Sequence, residues 1–145
     1  MHDLLFRIIE LAGPCHVTCA TWSVSREAAE LLALGMSDGR ILSLACLFDW
    51  RVRVRCPEAM AVARMAGVDM RVCVCHAKVT LLQNAQHSIT VVSSANMTNN
   101  PRIEAGVVFT DAASYAFHHE WISKEIANAK PFGVDLNRSG RPDSR

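Results

Sequence analysis

Between residues 76 and 106 the sequence gathers the side chains that phosphodiester chemistry uses: His76 and Lys78, then Ser93, Ser94 and Asn96, then Glu104. A histidine can attack phosphorus as a nucleophile or protonate a leaving alkoxide as a general acid. A lysine neutralises a non-bridging phosphoryl oxygen as charge develops on it, and Ser94 and Asn96 can donate hydrogen bonds to the same oxygens. Glu104 could hold one imidazole nitrogen, orienting the other and favouring the imidazolium.

Backbone elements must deliver these groups, and hydrophobic patterning says which. Leu4, Leu5, Ile8, Ile9 and Leu11 recur at helical spacing until Gly13 and Pro14 stop the helix. Residues 15–23 read as a strand, and Ser25 as the N-cap of a helix carrying Ala28, Ala29, Leu31, Leu32 and Leu34 up to Gly35. Residues 40–48 form a second strand. Pro57 opens a helix that runs to Ala66, and Gly67 closes it. Residues 68–82 read as one long strand, followed by a polar turn over 83–86 and a returning strand over 87–93. A loop of turn formers at 98–101, a short strand over 105–110 and a helix over 112–129 complete the order. Within a strand, i and i+2 side chains share a face, so His76 and Lys78 are expected on one side with Val74 and Thr80. Ser94 and Asn96 share a side by the same rule if their strand extends that far. The pattern predicts one α/β domain over residues 1–136, a mixed, mostly parallel sheet flanked by helices. Residues 137–145 are polar and are expected to be a disordered tail.

The order His-any-Lys, then Ser-any-Asn, resembles the phospholipase D superfamily. That family's signature is His-any-Lys, an Asp five residues after the Lys, then Gly-Ser-any-Asn. His76 and Lys78 match the first half, Ser94 and Asn96 match the second, and Glu104 resembles the acidic residue that members place behind the catalytic histidine. The chain departs at two positions, with Gln83 where the family has Asp and Ser93 where it has Gly. The resemblance implies a phospholipase D-like fold and His76, Lys78, Ser94, Asn96 and Glu104 as catalytic residues. It also implies two histidines, one forming a phosphohistidine and one protonating the leaving group, with no metal and no cofactor. A single His-any-Lys per chain then implies a homodimer with one composite site astride the twofold axis. Coupling between the two like-charged imidazoles lets identical residues hold different protonation states.

The formal net charge of +1 supplies no long-range attraction for polyanions, so any contact with nucleic acid must be local. Alternation of Arg51, Arg53 and Arg55 with apolar residues over 50–55 reads either as a basic ribbon near a phosphate or as the solvated side of an edge strand or loop. The six cysteines lie mostly in apolar runs, which favours free buried thiols over a disulfide framework. Cys73, Cys75 and His76, and Cys15, His16 and Cys19, invite a zinc reading, but a Cys-any-Cys pair on one strand face lacks the loop spacing of structural zinc sites. His118 and His119 on the last helix read as solvated or interface residues, and His87 as a turn residue. Trp22, Trp50 and Trp121 read as core or interface anchors. Asp3, Arg7 and Glu10 interrupt the first apolar run, so no signal peptide is expected, and no run reaches the length of a membrane span. A cytoplasmic location is expected.

Together these features predict a phosphodiester hydrolase of phospholipase D type, acting on nucleic acid as a homodimer. The alternative is a non-catalytic phospholipase D-like module that binds nucleic acid or a protein, a reading that the missing Asp at Gln83 feeds.

Overall fold

A computed structural model describes residues 1–99 and 101–133; the expected tail over 137–145 lies outside the described residues. The elements run α1 (His2–Ala12), β1 (Cys15–Thr21), α2 (Arg26–Ser37), β2 (Ile41–Asp49), α3 (Val52–Arg55), α4 (Pro57–Met65), β3 (Asp69–Cys73), β4 (Val79–Gln83), β5 (Ser88–Ser93), β6 (Gly106–Phe109), α5 (Ala112–Asn128) and β7 (Lys130–Pro131). Among the described residues the strands form one seven-stranded sheet in the order β6-β5-β4-β1-β2-β3-β7.

Local chemistry accounts for the helix starts. Ser25 accepts a hydrogen bond from the Ala28 N–H at 3.2 Å, and Asp111 accepts one from the Ser114 N–H at 2.8 Å, each satisfying a donor that a helix start leaves unpaired. Pro57 opens α4, where its missing N–H costs nothing, and Gly67 at φ +78° lets the chain leave α4 in a conformation that side chains disfavour.

The sheet separates two apolar layers. Leu5, Ile8 and Ile9 of α1, Ala28, Ala29 and Leu32 of α2, and Ala59, Met60 and Ala63 of α4 cover one face, packing on Val17, Cys19, Leu44, Phe48 and Val72. Among the described residues the other face carries α5, with fully buried Ile122 over Ala20, Leu47, Val79 and Leu81. Alternation along β1 and β4 feeds both layers, as the period of a strand requires.

The expectation of a mostly parallel sheet is corrected. β1 pairs with β2 and β2 with β3 in parallel, but β1–β4, β4–β5, β5–β6 and β3–β7 are antiparallel. The two parallel pairs are joined by the connections that carry α2 and α4, each long enough for the crossover that a parallel return demands. The expected long strand over 68–82 is corrected with it. It breaks after Cys73, and residues 74–78 cross the sheet end from β3 to β4, which runs back beside β1. Five residues cannot make a parallel crossover, so β4 comes back antiparallel.

Residues 50–55 form neither ribbon nor strand. They turn into the short helix α3, because the carboxylate of Asp49 at the end of β2 accepts the Arg51 N–H at 3.1 Å and bends the chain there.

Candidate active site

The crossing segment 74–78 runs over the carboxyl ends of the parallel strands, the region where open α/β sheets hold their ligands. Fully buried Asp49 anchors it by accepting the Cys75 N–H at 3.2 Å, and the Trp50 N–H reaches the Cys73 carbonyl at 2.9 Å. Burial pushes the Asp49 carboxyl up, but hydrogen bonds from Arg51 and from the Cys75 N–H outweigh it and hold the group below the usual carboxylate range. The Arg51 guanidinium closes on it with Nε at 2.5 Å and Nη2 at 3.0 Å.

His76 and Lys78 are thus brought together by an irregular segment and not by strand alternation. Lys78 Nζ lies 3.3 Å from His76 Nε2 and donates to the His76 carbonyl oxygen at 2.8 Å. The shared face with Val74 and Thr80 is corrected: Val74 is exposed, and Thr80 is buried within β4. Burial lowers the pKa of the Lys78 ammonium, opposed by the charges of Cys75 and Glu104. The Trp22 and His76 rings meet edge-on, with ring centroids 6.1 Å apart and planes at 62°. Behind His76, the hydrogen bond from Cys73 holds the Cys75 thiol below its ordinary pKa, at about 7.

The second segment joins the first through the backbone, the Ser93 N–H donating to the Lys78 carbonyl at 3.1 Å. Ser94 Oγ donates a short hydrogen bond to the Glu104 carboxylate and accepts the Ala105 N–H at 3.1 Å. Ser93, at the position of the family glycine, turns its hydroxyl onto its own loop, accepting the Ala95 N–H at 3.1 Å. Asn96 Oδ1 receives Thr21 Oγ1 at 3.4 Å, at the end of β1.

These residues line two clefts. His76, Lys78, Ser93 and Ser94 face an open cavity of about 540 Å³, together with His118 and Trp121 of α5. Asn96, Arg102 and Glu104 line a separate cleft of about 300 Å³. The Ser94–Glu104 bond links the two, and Glu104 makes its hydrogen bond to Ser94 rather than to the imidazole.

Gln83 sits at the opposite end of β4 from Lys78, about 16 Å away at the rise of a strand, and accepts the Tyr115 hydroxyl at 3.1 Å. The groups of the zinc reading diverge: Cys15 and Cys19 pack into the core while His16 is exposed and bonds Ser43 Oγ at 2.8 Å. Cys19 instead meets Cys46 across the β1–β2 pair, sulfur to sulfur at 3.0 Å. Sequence reasoning passed over Asp49 and took Trp22 for an anchor. Their one signal was position, at the ends of the first two strands of a strand-helix-strand run.

No protein-family model matches the chain, and no curated protein matches it. Among solved structures the chain is similar to a polyphosphate kinase from Porphyromonas gingivalis, at 15% identity and a TM-score of 0.54. The match covers 95% of this chain and 26% of that one, so the chain spans about a quarter of the length of the structure it resembles. The likeness is one of fold alone.

Proposed function

We propose that the chain is a phosphodiester hydrolase of phospholipase D type acting on nucleic acid. The observation that carries this reading is the contact of Lys78 Nζ with His76 Nε2 at 3.3 Å, on a segment laid across the carboxyl ends of the parallel strands and open to a 540 Å³ cavity. A ring nitrogen of one His76 attacks phosphorus and expels the alkoxide, which takes its proton from the His76 of a second copy. Water, deprotonated by that second imidazole, then breaks the phosphorus–nitrogen bond and regenerates the first. Lys78 carries the countercharge throughout, and the Asn96 amide supplies a neutral donor, while Ser94 spends its proton on Glu104.

Homodimerisation belongs to the same proposal, because one chain brings one His76. It is supported by the sheet edge beside Ser94, where β6 leaves Val107 52% and Val108 46% exposed. An uncovered apolar edge strand tends to pair with another chain. The likeness to a kinase fits the same theme, since kinases and phosphodiesterases share substitution at phosphorus. The test is turnover of bis(4-nitrophenyl) phosphate in chelator, with His76→Asn as control and light scattering on the same sample. Turnover by a dimer, lost in the variant, is expected, and turnover by a monodisperse monomer overturns the composite site. The engagement of Glu104 by Ser94 favours a second reading, a non-catalytic nucleic-acid or protein-binding module, which no turnover above the variant would support.

A further inference from the structure

Of the three arginines between β2 and α4, two are already engaged. Arg51 spends Nε and Nη2 on Asp49, and the Arg53 guanidinium lies over the Phe132 ring at 5.0 Å. Arg55 differs. It is exposed, its guanidinium lies 4.9 Å from the centroid of the Trp22 ring, and among the described residues no carboxylate forms an ion pair with it. A guanidinium stacked on an indole is oriented through its faces while its N–H donors remain free in the plane, the geometry that suits a phosphate.

The same indole meets His76 in an edge-type contact, so Trp22 carries the imidazole beside it and the guanidinium over its ring. Arg55 also lines a cavity of about 290 Å³ between the starts of α2 and α4, at the carboxyl end of β1. The carboxylate in that cavity, Glu58, lies 3.5 Å from Arg26. The cavity is therefore linked to His76 through Arg55 and the Trp22 ring, and it offers a cation with no ion-pair partner among the described residues.

We infer that Arg55, positioned by Trp22, binds a phosphate flanking the one at His76, so that the ligand is a single-stranded polynucleotide rather than an isolated diester. This rests on the reading of His76 as the phosphodiester site. A strand with one phosphate at His76 would carry the next one or two along Trp22 towards Arg55. With a net charge of +1 there is no general field to hold such a strand, so local contacts of this kind must do so.

The test is fluorescence anisotropy of a labelled twelve-nucleotide single-stranded DNA on full-length protein carrying His76→Asn, which prevents cleavage. Adding Arg55→Gln is expected to weaken binding about tenfold and to lower the slope of log affinity against log salt by about 1. Adding Arg64→Gln, which removes an equal charge from the last turn of α4, is expected to change affinity less than twofold. Equal effects of the two substitutions, or no binding by the parent, overturn the inference. Failure of the hydrolase reading is separate: it appears as oligonucleotide binding that depends on Arg55 with no turnover of bis(4-nitrophenyl) phosphate.

Discussion

Lys78 Nζ lies within hydrogen-bond reach of both His76 Nε2, at 3.3 Å, and the His76 carbonyl, at 2.8 Å, so one ammonium is tied to the side chain and the backbone of the same residue. Burial lowers the pKa of that ammonium against the opposing charges of Cys75 and Glu104. A lysine that must be charged to neutralise phosphoryl oxygen loses its effect as pH rises through its own pKa. Hydrolysis of bis(4-nitrophenyl) phosphate is therefore expected to fall on the alkaline side. In Lys78→Arg, whose guanidinium keeps its proton, the alkaline limb of the pH–rate profile moves upward even as the maximum rate drops.

Asp49 ties the end of β2 to Arg51 and to the Cys75 N–H, and so sets where His76 begins. Folding favours its carboxylate form, so its contribution is present above the unfolded pKa of about 3.9 and is lost as pH falls through the lower folded value. Urea denaturation of Asp49→Asn should show a loss of about 2 kcal/mol at neutral pH. The difference from the parent should shrink below about pH 4.

Gly106 pairs with Ser93 in the β5–β6 ladder, where an added Cβ would meet Ser93 Cβ at 2.7 Å and the Val92 carbonyl oxygen at 2.8 Å. The obstacle is backbone and cannot rotate away. Gly106→Ala should cost about 1–3 kcal/mol. By pushing β6 from β5 it should also weaken the Ser94–Glu104 bond. Unchanged thermal stability would mean that the ladder absorbs the methyl group.

Gln83 stands where the family signature has Asp, but it faces Tyr115 at the far end of β4. Gln83→Asp should therefore leave turnover within about twofold, and its effect should appear in melting temperature. A gain of a hundredfold or more, equivalent to about 2.7 kcal/mol of barrier, would assign this end of the strand a direct part in the chemistry.

Ile122 is the buried centre of the layer beneath α5, where Ala20, Leu47, Val79 and Leu81 meet it. Ile122→Ala is expected to cost about 2–5 kcal/mol. Because Trp121 and His118 of the same helix line the cavity beside His76, its tryptophan emission should shift to the red.

The sequence by itself determined the longer helices α1, α2 and α4, since Ser25 and Pro57 act on their own neighbours and the apolar spacing of Leu5, Ile8 and Ile9 needs no partner to be read; the short α3 it did not show. The order His76, Lys78, Ser94, Asn96 and Glu104 was legible as a candidate set, which the tertiary structure divides between two clefts joined by the Ser94–Glu104 bond. Local signals could not say where residues 68–82 break, because an apolar run looks the same in one strand as in two. That was decided by Asp49, which accepts the Cys75 N–H from 26 positions away and turns the chain across the sheet end. The balance of parallel and antiparallel pairs followed from that turn, since the five residues between β3 and β4 leave no room for a crossover. Trp22 acquired its place between His76 and Arg55 in the same way, through contacts between segments more than thirty residues apart that no periodicity encodes.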